Sequence, residues 1–144
     1  MSWSAVGVDF GGTKIRAARI LGNRVEEETV RPTPPDDPTM ILGAVTDAVA
    51  EVHRAGLPIG VAVAGQIDRR AGVIRSSPNI PGINVPLGPS LEDAFEVPVV
   101  VDNDVRMAAV GEWLVLGESP RLLVALYVGT GIGAGVVLDG TPLA

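Results

Sequence analysis

The sequence predicts an α/β protein built on a mixed sheet. Three observations lead there. Residues 5–31 hold three strand-like runs separated only by tight turns. A run with helical period follows. Short apolar runs then alternate with helix signals as far as the C-terminal hairpin. The chain has 144 residues, 47% of them hydrophobic, which is the size of one ordinary domain with a core to bury.

The elements follow in order. Ala5 to Phe10 and Lys14 to Leu21 are strands joined by a Gly-Gly-Thr turn, hence an antiparallel hairpin. Gly22-Asn23 turns the chain into a third strand, Val25 to Arg31, whose Glu26-Glu27-Glu28 run suits an exposed edge. Asp37-Pro38 opens a helix with a carboxylate cap and a proline in the first turn. Ile41, Val45, Ala48, Val49 and Val52 fall on one face of it, and Gly56 and Pro58 end it. Ile59 to Ala64 reads as a strand covered on both faces. Gln66 to Ser77 reads as a hairpin turning at Ala71-Gly72, Ser90 to Phe95 as a short helix, and Val97 to Val101 as another buried strand. Asp104 to Leu116 is a helix. Leu122 to Val128 and Ile132 to Leu138 are strands joined at Gly129-Thr130-Gly131. Three antiparallel strands, then helix, strand, helix, strand, helix, is by analogy the order of the ribonuclease-H-like half of actin-type ATPases, with a five-stranded mixed sheet.

The chain nearly repeats itself. "GVDFGGTKIRAARI" and "ALYVGTGIGAGVVL" are each strand, Gly-Thr turn, strand. A first domain over 1–120 and the first hairpin of a second, similar domain over 121–144 are therefore expected. Two strands alone are marginal in water, so the sequence reads as the front part of a protein roughly twice as long. The apolar hairpin is also expected to recruit other chains, which points to a homo-oligomer.

Charge and composition exclude several classes. A net charge of -6 and a pI near 4.6 lack the basic patch of a nucleic-acid surface. With no cysteine there is neither a disulfide framework nor a Cys-based zinc site, which fits a reducing cytoplasm. Met1-Ser2-Trp3-Ser4 leads into no signal-peptide pattern, and the apolar runs are too short and broken to span a membrane. Lys14 is the only lysine. His53, beside Arg54, is read as lying on a solvated helix face.

The Gly11-Gly12-Thr13-Lys14 turn combines features suited to an anion. Glycine lets backbone N–H groups approach without a Cβ in the way, and successive N–H groups in a turn form a concave anion site. Thr13 adds a hydroxyl and Lys14 a charge. Asp9, just upstream, is placed to hold Mg²⁺ through water. This is phosphate chemistry without the P-loop spacing. Further on, Asp102-Asn103-Asp104 stand where a strand meets a helix, and ligands of open α/β sheets bind beyond the carboxyl ends of strands. A carboxylate there can take a proton from a hydroxyl during phosphoryl transfer. Asp102 reads as an ordinary helix cap. For Asp104, cap and base both stand open on spacing alone.

The chain resembles the ROK family of sugar kinases and sugar-responsive repressors over nearly its whole length. "DFGGTK" is similar to the family's first phosphate motif, "SSPNIPGINVPL" to its sugar loop, "VDNDVRMAAVGE" to its Glu-Asn-Asp segment, and "VGTGIGAGVVLDG" to its second phosphate motif. The resemblance implies ATP-dependent phosphorylation of a hexose, with glucose the first choice. It implies Asp104 as base, and Asn79, Asn103 and the backbone of Gly65 as sugar contacts. Gly11, Gly12, Thr13, Lys14, Thr130 and Gly131 would serve the ATP phosphates, and Asp9 the Mg²⁺. Ile83 stands where the sugar loop usually has tryptophan, and Arg106 where asparagine is usual. The family's Gly-Glu-x-Gly-His segment and cysteine-rich zinc motif do not occur in the sequence. The alternatives are a sugar-sensing repressor of the same family and a non-catalytic sugar-binding remnant. No winged helix precedes the first strand, so no nucleic-acid partner is expected.

Overall fold

A computed structural model describes residues 3–35, 37–78, 80, 82, 84–129 and 131–143. The chain folds as two compact units, Met1–Asp102 and Asn103–Ala144.

The first unit starts as an antiparallel meander of β1 (Ser4–Phe10), β2 (Lys14–Leu21) and β3 (Arg24–Pro32). Its alternating apolar residues, Val6, Val8, Phe10, Ile15 and Ala17, are buried. The helix α1 (Pro38–Val52) packs on all three strands. Asp37 caps it, accepting from the Thr39 N–H at 2.8 Å and the Met40 N–H at 3.3 Å. Its buried face is the one the spacing predicts: Ile41, Val45, Ala48, Val49 and Val52. His53 closes this helix rather than lying on a solvated face. It is half-buried, with Nε2 3.0 Å from the Leu57 carbonyl oxygen and its ring against Phe95.

The strand β4 (Ile59–Val63) pairs parallel to β1, from Val6↔Ile59 to Phe10↔Val63. A small hairpin, β5 (Gln66–Asp68) and β6 (Val73–Ser76), follows, then α2 (Leu87–Phe95) and β7 (Val99–Asn103). The main sheet runs β3-β2-β1-β4-β7, the mixed five-stranded sheet expected. The Val6 N–H donates to the Pro58 carbonyl and the Ile59 N–H to the Pro98 carbonyl. Strands β1, β4 and β7 therefore start together, and their carboxyl ends share one edge.

Three details differ from the sequence reading. Helix α2 begins at Leu87, not Ser90, because Pro86 already supplies the first carbonyl, to Ser90 N–H, and Leu87 and Leu91 are both buried. Strand β7 is shifted two residues, because Pro98 has no N–H and gives only its carbonyl to the ladder. Strands β4 and β7 are not covered on both faces: Gly60 is exposed and Val100 is 55% exposed.

The second unit consists of α3 (Asp104–Val115), β8 (Leu122–Val128), β9 (Ile132–Leu138) and β10 (Thr141–Pro142). The hairpin β8–β9 forms as read, and β10, which the sequence reading missed, pairs with β9. Helix α3 lies against one face of the hairpin, and the glycines of β9 let it come close. A β-carbon on Gly135 would stand 2.5 Å from the Ala109 Cβ, and one on Gly133 2.7 Å from Val105 Cγ2. Trp113 Nε1 donates to the Pro120 carbonyl at 2.9 Å, and Arg106 Nε to the Leu143 carbonyl at 3.0 Å. The hairpin thus has a partner in α3 within the second unit. Its other face keeps Leu122, Val124, Leu126, Val128 and Ile132 exposed. Among the described residues no helix is long and apolar enough to cross a membrane.

Candidate functional site

In the first unit the predicted residues gather at the carboxyl edge of the sheet. Asp9 is the penultimate residue of β1, exposed, and opposite Ala62 of β4. Gly11 to Lys14 make the glycine turn. The Gly11 N–H donates to the Lys14 carbonyl at 2.9 Å, which closes the turn. Thr33 braces it from behind: its hydroxyl donates to the Gly11 carbonyl at 2.7 Å and its N–H to the Thr13 carbonyl at 3.0 Å. The Gly11 N–H is therefore spent inside the turn. The N–H groups of Gly12 and Thr13 take no partner among the described residues. The side chains of Thr13 and Lys14 are exposed. Two backbone donors, a hydroxyl and an ammonium in one braced turn form a set that fits a phosphate group. Asp9 supplies one carboxylate, and no group of three or more acidic or His side chains is found among the described residues. That set fits a Mg²⁺ held mostly by water and phosphate oxygens, the usual habit of this ion.

Gly65 lies two residues beyond β4, on the same edge. Its φ is +128°, and a β-carbon there would fall 2.2 Å from the Ser76 carbonyl oxygen. The close pass of β6 demands glycine here whatever else the residue does. Arg75 donates to Asn84 Oδ1 at 3.0 Å and pairs with Asp68. It thereby ties the 77–86 loop to the small hairpin. Asn79, the sugar contact expected in that loop, and Ile83 lie outside the described residues.

In the second unit Asn103 is the N-cap of α3, with Oδ1 accepting from the Arg106 N–H at 3.2 Å. Asp104 follows as the first helical residue, half-buried, and accepts from the Val105 N–H at 2.9 Å. Gly131 is exposed, and its carbonyl closes the β8–β9 turn by accepting from the Gly129 N–H. Thr130 lies outside the described residues. Arg106, unusual beside the resemblance, has its guanidinium engaged with the Leu143 carbonyl.

Asp102 is not the cap the sequence reading expects. It is fully buried in β7, in an ionic contact with Arg69 at 2.9 Å. Sequence reasoning missed Arg69 altogether. The one signal was a carboxylate inside an apolar strand, which implies a partner without saying where it is. A shallow groove of about 400 Å³ between β3 and α1, lined by Arg31, Pro34, Met40 and Asp47 among others, holds none of the predicted site residues.

Residues 5–144 match the ROK family. The chain belongs to the ROK family. Its ribonuclease-H-like fold is shared with solved family members. The ROK hexokinase of Thermus thermophilus superposes with a TM-score of 0.82 at 37% identity, over 97% of this ROK chain and 48% of that one. A ROK glucokinase of Streptomyces griseus, solved with glucose and AMPPNP, gives 0.77 at 31% identity, over 97% and 46%. Among curated proteins, the glucokinase of Streptomyces coelicolor is 36% identical over 92% of this chain and 43% of its own length. A xylose repressor of Caldicellulosiruptor bescii is 30% identical over 94% and 37%. The ROK chain thus spans less than half the length of these relatives.

Proposed function

We propose that this ROK chain is the sugar-binding front of an ATP-dependent hexose kinase, with glucose as first substrate. One observation carries the reading: the braced Gly11–Lys14 turn leaves backbone donors, a hydroxyl and an ammonium uncommitted at the carboxyl edge of a sheet. Two relatives support it, a glucokinase by sequence and a glucokinase solved with glucose and AMPPNP. In this reading Asn79, Asn103 and the Gly65 backbone orient the sugar. Asp104 takes the proton from the attacking hydroxyl. Gly12, Thr13 and Lys14, with Gly11 shaping the turn, serve the ATP phosphates, and so do Thr130 and Gly131. Asp9 would hold Mg²⁺ through water, and such an ion, when bound, would supply charge neutralisation for phosphoryl transfer. Residues 1–120 are the sugar-binding part and 121–144 the start of the nucleotide-binding part. A cytoplasmic homo-oligomer belongs to the same proposal.

The test is a coupled assay of ADP release with glucose, in a kinase that contains these residues. Asp104→Asn should lose about 10²–10⁴-fold in turnover while nucleotide still binds. Retention of more than about a tenth of the rate removes Asp104 as base. The 144-residue chain alone should turn over negligibly, since positioning of ATP supplies most of phosphoryl-transfer catalysis. The xylose repressor relative favours a second reading, a sugar sensor. Sugar binding without turnover in the complete protein would select it.

A further inference from the structure

We propose that Arg16 is a second cation of the Gly11–Lys14 turn and fits it to a chain of linked phosphates rather than to a single one. The inference rests on the kinase reading above and names the ligand class of the same site. It starts from the pleat of β2. Ile15 and Ala17 are buried, so Lys14 and Arg16 stand together on the opposite face, and both are exposed. Two residues along a strand are about 7 Å apart. Directly across from Arg16 stand Asp9 of β1 and Val30 of β3, both exposed as well. An open strip of surface therefore runs from the turn through Lys14 to Arg16.

What sets Arg16 apart from its neighbours is how loosely it is held. Arg31 Nε donates to Glu51 at 2.9 Å, and Arg54 to Glu27 at 2.9 Å. Arg19 lies 3.4 Å from Glu26 and 3.3 Å from Glu27. Arg16 Nε stands 3.8 Å from Glu28 Oε1, beyond hydrogen-bond length, and both side chains are exposed. A pair of that kind contributes little. Two carboxylates thus face Arg16, Glu28 and, across the β1–β2 pair, Asp9, and neither holds it by a close hydrogen bond. The turn already offers a single phosphate two backbone donors, a hydroxyl and an ammonium. A linked chain is longer and more highly charged, so its far end leaves the turn. There the planar guanidinium can take two oxygens of a second phosphate, the geometry for which arginine is suited. Leaving Glu28 costs Arg16 little, because the pair it gives up is long and wet.

The test titrates the 144-residue chain with inorganic phosphate and with inorganic tripolyphosphate, followed at the Gly12 and Thr13 amides. The parent chain should bind tripolyphosphate more tightly. Arg16→Ala should weaken tripolyphosphate by about three- to fivefold, the scale of one exposed charge contact, and leave inorganic phosphate unchanged. Arg16→Lys should keep part of the difference, since it has the charge without the fork. Glu28→Gln should tighten tripolyphosphate, because Arg16 then has one competitor fewer. Lys14→Ala should weaken both anions. High salt should shrink the Arg16 effect, as it does for any exposed contact between charges. Equal losses for the two anions in Arg16→Ala, or no loss for either, would overturn the role of Arg16, and a loss for both in Lys14→Ala would still leave the turn as a phosphate site. If neither anion moves the Gly12 and Thr13 amides of the parent chain, the turn is not a phosphate site and the role of Arg16 falls with it.

Discussion

Gly72 and Gly88 meet backbone to backbone: a β-carbon built on Gly88 would stand 2.8 Å from the Gly72 Cα, and one on Gly72 2.9 Å from the Gly88 Cα. The pair fastens the β5–β6 hairpin to the first turn of α2. Gly88→Ala should therefore force two backbones apart and cost about 1–3 kcal/mol, the usual range for overpacking. Gly72→Ala should cost at least as much, because Gly72 also has φ of +63°. Urea unfolding measures both. A loss under about 0.5 kcal/mol for Gly88→Ala, the level of an ordinary surface change, would show that the contact yields.

The second prediction concerns acid. The Thr29 hydroxyl, first, and the Arg31 guanidinium, second, hold the Glu51 carboxyl below its ordinary value of 4.5. These groups join α1 to β3. A carboxyl lowered in the folded state stabilises the fold above its unfolded pKa, and that contribution is lost as pH falls through the folded value. The window therefore opens at about 4.5 and extends downward. Glu51→Gln should flatten this part of the stability curve and leave neutral pH less affected by further acidification. Urea midpoints from pH 7 to 3 provide the check. Parallel curves for the two proteins would mean that the contacts carry no proton linkage. Asp68, lowered by the Ala71 N–H and then Arg75, adds to the same acid limb in both proteins.

A third prediction has the opposite sign. The Tyr127 hydroxyl is buried under α3 and makes no hydrogen bond among the described residues. Burial, with Glu112 second, pushes its phenol up from 10.0. An unsatisfied buried hydroxyl costs about 1–3 kcal/mol, so removing it should not hurt. Tyr127→Phe should be equally stable or more stable by up to about 1 kcal/mol. Unfolding followed by Trp113 fluorescence in a Trp3→Phe background would report on it. A clear destabilisation would reveal a partner for the hydroxyl.

Local patterns made much of this fold legible. The buried face of α1 follows from spacing alone, because one helix stripe meets one sheet. The bounds where β8 ends and β9 begins follow from the Gly129-Thr130-Gly131 turn between two largely apolar runs. The start of α3 at Asp104 was legible as well, although the sequence reading put the cap on Asp102 where the structure has Asn103. What escaped depends on contacts between distant segments. Asp102 looks like a cap because Asp before a helix usually is one, and only the fold brings Arg69 to it. Gly65 was legible as a residue of interest, but its need for glycine comes from Ser76, which no neighbouring position announces. An apolar strand such as β4 does not tell from its own residues whether one face or two are covered.

The single lysine has a practical meaning. Lys14 sits exposed in the braced turn, and every other basic side chain except His53 is a guanidinium, which does not react as an amine. Apart from the terminal amine, an acylating reagent has one address on this chain, and it is the turn assigned here to phosphates. The molecule carries its own chemical reporter: occupancy of that turn can be followed as shielding of one side chain, without a label, a tag or a substitution.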